Sequence, residues 1–122
     1  MSKILKTTVV GSYPKLGYVE KGLKNRNMGK ITENELQKIF EKATKEVVEE
    51  QIRAGIDVIA DGEQYRSDMV VYFAKQIEGF DEGEWVRIWG NNYFRKPIVL
   101  SKVKFNKPMT LKYFMLAKEV SI

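Results

Sequence analysis

Two short β-branched runs flank a segment marked as one amphipathic helix, and this order constrains the fold more than any other feature. Thr32 stands as an N-cap with Glu35 three residues on. That pair is a capping box, in which each side chain satisfies the other residue's backbone N–H. Ile31 and Leu36 take the hydrophobic-staple positions around it. Leu36, Ile39, Phe40, Ala43 and Val47 recur at helical spacing, with acids and Lys on the other face. Gly55 is a natural C′ residue, so the helix is predicted over 32–54. Ahead of it, Thr7-Thr8-Val9-Val10 reads as a strand closed by Gly11; behind it, Ile56-Asp57-Val58-Ile59-Ala60 reads as another, ending at Asp61-Gly62-Glu63. Strand, helix and strand with little slack make a βαβ unit, which implies parallel pairing.

The rest of the chain extends this order. Residues 11–30 hold four Gly, one Pro and many Lys without a sustained apolar period, and are expected to be a long loop. A second helix starts at Ser67 or Asp68, turns Met69, Val70, Phe73 and Ile77 inward, and ends at Gly79. Trp85-Val86-Arg87-Ile88-Trp89 alternates at period two, turns at Gly90-Asn91-Asn92 and resumes as Tyr93-Phe94-Arg95, the pattern of a hairpin. Pro97-Ile98-Val99-Leu100 fits either a third parallel strand or part of that excursion. A last helix is expected from Pro108 or Met109 to Glu119. The sum is a β-α-β-α-β-α order in one domain of 122 residues. The expected fold class is therefore α/β with parallel βα units, about half of a TIM (β/α)8 barrel, which takes ~250 residues.

Composition excludes several chemistries. The chain has no Cys and no His, so disulfides, thiolate nucleophiles, Ser-His-Asp triads and Cys/His zinc sites cannot be built from it. Carboxylates, Lys, Tyr, Ser/Thr, backbone amides and oxygen-ligated metals remain. The net charge of +5 is segregated. Residues 1–30 carry seven Lys/Arg and one acid, residues 31–84 six and fourteen, and residues 85–122 eight and one. Basic ends fit phosphate or nucleic acid, a solvated surface, or packing against the acidic middle. No RNP-type, zinc-finger or Arg-rich signature favours nucleic acid. No apolar run nears the ~20 residues of a membrane helix. The start, Met1-Ser2-Lys3-Ile4-Leu5-Lys6, leads into no apolar signal core, so a cytoplasmic place without membrane contact is expected.

In parallel α/β folds, ligands sit at the carboxyl ends of strands. Two segments fall there: Gly11-Ser12-Tyr13-Pro14 and Asp61-Gly62-Glu63-Gln64. Gly11 lets a ligand approach the backbone, Ser12 offers a hydroxyl and an amide, and Glu63 suits an ammonium group. By spacing alone, ordinary turns account for both segments more readily than a site does, and Asp61 with Glu63 is a thin basis for Mg²⁺. Trp85, Trp89, Tyr93 and Phe94 form an aromatic group that is either a stacking platform or a half-buried sheet face.

These segments carry a family resemblance. Thr7-Thr8-Val9-Val10-Gly11-Ser12-Tyr13-Pro14 resembles the opening strand of the catalytic barrel of cobalamin-independent methionine synthase, the homocysteine methyltransferase. Glu50-Gln51-Ile52-Arg53-Ala54-Gly55-Ile56-Asp57-Val58-Ile59-Ala60-Asp61-Gly62-Glu63 matches it as well. So do Arg66-Ser67-Asp68-Met69-Val70-Val71-Tyr72-Phe73 and Trp89-Gly90-Asn91-Asn92-Tyr93-Phe94-Arg95-Lys96-Pro97-Ile98-Val99. The wording is most similar to the short archaeal single-barrel members, and the stretch is the N-terminal half of the barrel.

The resemblance implies a (β/α)8 fold and transfer of a methyl group to zinc-bound homocysteine, making methionine. It carries Val10, Gly11 and Ser12 to homocysteine contacts and Glu63 to the homocysteine amino group. Asn92 and Tyr93 fall where bacterial members contact methyl-folate, but the residue types differ. A folate, a methanopterin and a methyl-corrinoid protein all stay open as donors. The family's zinc ligands, His, Cys, Glu and Cys, come from the other half of the barrel, so no metal ligand or catalytic residue is expected here. Expected, then, is the homocysteine-binding half of a truncated or split methyltransferase, incomplete alone. It would pair with a complementary half-barrel chain or a second copy. The alternative is a non-catalytic amino-acid-binding or oligomeric module.

Overall fold

The computed structural model describes residues 5–122; Met1–Ile4, part of the charged start read above, lie outside the described residues. The chain divides into two compact units, one running up to Tyr65 and including Thr110–Ile122, the other spanning Arg66–Met109.

The first unit is organised by the predicted helix. α1 (Gly17–Asn27) precedes it, α2 is Glu33–Arg53, and the last helix of the chain, Leu111–Ser121, packs on α2. At Thr32 the capping box is fully formed: the Glu35 N–H donates to Thr32 Oγ1 at 3.2 Å and the Thr32 N–H to Glu35 Oε2 at 2.7 Å. Thr32's backbone bond, and then its hydroxyl, hold the Glu35 carboxyl below the usual carboxylate range. Gly55 takes φ 75°, the left-handed conformation that lets the chain leave the helix.

Leu36, Phe40, Ala43, Val47 and Val48 of α2 are buried, together with Val19 and Tyr113. Each fully buried large aliphatic side chain contributes about 1.5–3 kcal/mol. Thr44 sits wholly inside this core and satisfies its hydroxyl on the Phe40 carbonyl at 2.9 Å, one helical turn back.

α1 corrects the expected loop over 11–30. Its glycines and lysines hid it, and Leu16 makes no side-chain cap bond. Gly22 is nonetheless a packing residue: a Cβ there would lie 2.8 Å from Ile39 Cδ1, so its absence lets the helices close up. Tyr18 ties α1 to α2 by donating to Glu46 Oε2 at 2.8 Å. Burial, then that bond and the Glu46 charge, push the phenol well above its ordinary range.

The two predicted strands of this unit meet at one parallel bridge, Thr8 with Val58, rather than over 7–10 and 56–60. The parallel direction is the expected one. The contact is reinforced from the side: Thr7's N–H and hydroxyl donate to Asp57 Oδ2 at 2.7 and 2.8 Å, and the Asp57 N–H returns to Thr7 Oγ1 at 3.1 Å.

The second unit holds a short helix and an antiparallel hairpin. α3 (Met69–Ala74) is capped by Asp68, whose Oδ1 accepts from Val70 and Val71 N–H at 2.8 and 2.9 Å. It is shorter than predicted, and Val71 rather than Met69 or Val70 is its buried residue. The reason is that the chain becomes strand within a few residues: β1 is Glu78–Arg87, and Gly79 sits at an irregularity of that strand, close against the other, instead of ending a helix. A Cβ at Gly79 would lie 2.7 Å from the Lys102 carbonyl oxygen. The acidic run 78–84 hid the strand, since Asp, Glu and Gly are poor strand formers.

β2 (Tyr93–Lys104) pairs antiparallel with β1, from Arg87 against Tyr93 to Glu78 against Lys104. Pro97-Ile98-Val99-Leu100 therefore belongs to the hairpin and is not a third parallel strand. The sheet among the described residues has these two strands, so the chain is α/β. The last helix, now α4 (Leu111–Ser121), stacks the Tyr113 ring on Tyr65 at 3.5 Å and 4° between planes, and the Tyr113 hydroxyl reaches Gln37 Oε1 at 2.9 Å.

Candidate functional site

The site is built where the chain leaves the Thr8–Val58 bridge on both sides. After Val58, Gln51 of α2 holds Ala60: its Oε1 accepts from the Ala60 N–H at 3.0 Å and its Nε2 donates to the Ala60 carbonyl at 2.8 Å. The chain then turns sharply, with Gly62 at φ 73° and Glu63 at φ 54°. Glu63 is the one non-glycine residue at positive φ among the described residues. Such a conformation costs an L residue about 1–2 kcal/mol and persists only where the surroundings enforce it.

Those surroundings come from residues 13–16. The Tyr13 N–H donates to the Gly62 carbonyl at 3.0 Å. Lys15 Nζ donates to the Glu63 and Gln64 carbonyls at 2.9 and 2.8 Å. Gln64 is wholly buried; its Nε2 donates to the Tyr13 and Pro14 carbonyls at 3.2 and 3.1 Å, and its Oε1 accepts from the Leu16 N–H at 3.1 Å. Asp61 closes the turn, accepting from the Glu63 N–H at 3.0 Å and from the Tyr65 hydroxyl at 2.5 Å.

The predicted site residues fall into two groups. Gly11, at φ 78°, and exposed Ser12 immediately precede Tyr13, while Glu63 immediately follows Gly62. The Tyr13–Gly62 bond thus brings both predicted segments to one junction. Val10 is there too and is 92% exposed.

Asn92 and Tyr93 belong to the other unit. The Asn92 N–H donates to Trp89 at 3.0 Å and the Asn92 carbonyl accepts from Ile88 at 2.9 Å, closing the hairpin turn. The aromatic group is split by the period of the strand. Trp85 pairs across from Arg95 and Arg87 from Tyr93 on one face, while Phe94 opposes Val86 on the other. The Arg95 guanidinium lies over the Trp85 ring at 4.7 Å.

Both Asp61 oxygens are engaged within the turn, and among the described residues no group of three or more Asp or Glu is placed to hold a metal ion. The chain contains neither thiol nor imidazole, so a zinc centre of the Cys/His kind does not fit its residues. Sequence reasoning named Glu63 but gave no role to Gln64 or Lys15. The signal for them was the Asp-Gly turn itself, which needs partners for the carbonyls it turns outward.

A parallel bridge crossed over by a helix, with Gly11, Ser12 and Glu63 just past the two bridged segments, is the arrangement at which α/β proteins take their ligands. Residues 5–121 match the family model for the catalytic domain of cobalamin-independent synthase, and the chain belongs to that family. It is 44% identical over 118 residues to the methionine synthase of Sulfurisphaera tokodaii, covering 97% of this chain and 35% of that protein. With the methionine synthase of Pyrococcus furiosus it shares 41% over 116 residues, 95% of this chain and 34% of the relative. It thus spans about a third of the length of these curated relatives. Among solved structures, a B12-independent methionine synthase from Shewanella sp. W3-18-1 in complex with selenomethionine aligns with a TM-score of 0.62. The identity there is 26%, covering 74% of this chain and 27% of that one. In that length the described residues of the first unit show a single parallel bridge, and no helix among them is long and apolar enough to cross a membrane.

Proposed function

We propose that this chain forms the amino-acid-binding end of a methionine synthase-type site, as part of a (β/α)8 barrel of which it supplies about half. Homocysteine, or methionine as product, sits against the Val10, Gly11 and Ser12 backbone and the Ser12 hydroxyl, and the Glu63 carboxylate receives its ammonium group. The observation that carries this reading is Glu63 held left-handed at φ 54° on the turn bonded to Tyr13. Strain in an L residue marks a side chain held for use. The selenomethionine of the Shewanella structure is a ligand of the class proposed.

The chain's own residues bind and orient the amino acid. With no thiol or imidazole here, the zinc chemistry implied by the resemblance falls to residues outside this set, and Asn92 and Tyr93 are the positions proposed for the methyl donor.

Calorimetric titration of the purified chain with L-homocysteine under reducing conditions tests the reading. Micromolar binding is expected. Glu63→Gln should weaken it roughly 10- to 150-fold, the 1.5–3 kcal/mol of a charge-assisted hydrogen bond. No heat at millimolar ligand, or an unchanged affinity in the variant, would sink the assignment.

The proposed pairing with a complementary half-barrel chain or a second copy rests on α4. Its inner face carries buried Tyr113, yet Leu111, Phe114 and Met115 form an apolar stripe that is half or more exposed. Sedimentation of the chain alone is expected to give a mass above the 14.2 kDa monomer, restored to monomer by Phe114→Glu. A strictly monomeric wild-type chain at high micromolar concentration would remove self-association.

A further inference from the structure

We infer that Lys15 is a positioning residue for the Glu63 carboxylate, which it serves by locking the left-handed turn from the neighbouring segment. The inference rests on the amino-acid site proposed above. Two successive carbonyls, those of Glu63 and Gln64, accept from a single ammonium group at 2.9 and 2.8 Å. Successive carbonyls converge on one donor only where the chain turns tightly, and here the turn is made by Gly62 and Glu63 at φ 73° and 54°. An ammonium is suited to this: it is a compact charge with three donors, and a charge-assisted bond to a carbonyl is stronger than a neutral one.

The backbone angles at Glu63 fix the direction of its Cα–Cβ bond, and hence where its carboxylate stands. The anchors of the turn act at different atoms. Gln64 bonds to residues 13–16 through its side chain, and Asp61 accepts from the Glu63 N–H, on the far side of the strained φ. Lys15 grips the carbonyl of Glu63 itself. Without it, the left-handed conformation loses a support comparable to its own cost, and Glu63 can relax to the right-handed region with its side chain re-aimed.

The test is a double-mutant cycle read by calorimetry with L-methionine, beside the backbone carbon chemical shifts of Glu63. Lys15→Met keeps the length of the side chain and removes its donors. It is expected to weaken L-methionine binding about tenfold, the factor that 1.4 kcal/mol of released strain corresponds to. It should also move the Glu63 shifts out of the left-handed range, and Lys15→Arg should recover much of both.

If Lys15 acts through Glu63, the double variant Lys15→Met/Glu63→Gln binds no worse than Glu63→Gln alone. Additive losses would overturn the inference and make Lys15 an independent contact. Unmoved Glu63 shifts in Lys15→Met would overturn it as well, whatever the affinity does. Failure of the wild-type chain to bind, with the Glu63 shifts still moved by Lys15→Met, would instead overturn the amino-acid site and leave Lys15 as the lock of a turn.

Discussion

Gly62→Ala is expected to destabilise the chain by about 2–5 kcal/mol, from two sources that add. The first is conformational: at φ 73° an alanine bears the left-handed penalty of about 1–2 kcal/mol. The second is steric. The new Cβ would lie 2.5 Å from Val47 Cγ1 and 3.3 Å from Tyr13 Cβ. Val47 cannot give way, because it is wholly buried in the middle of α2 and, being β-branched, has one favoured rotamer in a helix. Overpacking of this kind costs about 1–3 kcal/mol. Gly55→Ala is the control. Its φ is 75° with nothing within 4 Å of the added Cβ, so it should show the conformational cost alone. Urea denaturation of the two variants separates the terms. A Gly62→Ala chain no less stable than Gly55→Ala would mean that the turn shifts to make room.

The contrast between the two glycines also shows what could be read from sequence and what could not. Local signals that act within a few residues were legible. Thr32, Glu35 and Gly55 each determine a helix end through their own backbone bonds, and α2 begins and stops where they stand. The hairpin turn at Gly90-Asn91-Asn92 was legible for the same reason. Features decided by a distant partner were not. Gly22 looked like a loop residue, but its role is set by Ile39 on another helix. Gly79 looked like a helix stop, but the carbonyl of Lys102 makes it a close strand contact. The aromatic group is near in sequence but divided in space, because the pleat sends Tyr93 and Phe94 to opposite faces.

The candidate site shows the same division. Strand ends located Gly11, Ser12 and Glu63, since topology alone brings those ends together. The groups that hold the junction, Lys15 and Gln64, are fifty or so residues from their partners and follow no local pattern. Their bonds run from side chain to backbone, which is why they matter. With one parallel bridge among its described residues, the unit shows no ladder there to fix its loops, and side chains supply hydrogen bonds in its place.

Gln51 is the clearest instance, and its replacement by Leu carries the other large expected effect. Gln51 is 1% exposed, and its amide takes both the N–H and the carbonyl of Ala60, as a neighbouring strand would. Leucine is an apolar residue of comparable bulk, so Gln51→Leu reports chiefly on the hydrogen bonds. Two half-buried backbone groups lose their partners, at about 1–3 kcal/mol each, and a total loss of about 2–6 kcal/mol is expected. Gln51→Glu sharpens the reading. When ionised it accepts from the Ala60 N–H but offers the carbonyl no donor; when protonated it regains one. Its stability, followed by urea denaturation, should therefore rise on acidification relative to wild type, from the pH at which the folded carboxyl takes up its proton down to that at which the unfolded one does. Ala60 leads directly into Asp61, Gly62 and Glu63, so L-methionine affinity should fall in Gln51→Leu even under conditions where the chain is fully folded. A leucine variant within about 0.5 kcal/mol of wild type would mean that water takes over both Ala60 bonds, and that the segment needs no strand surrogate.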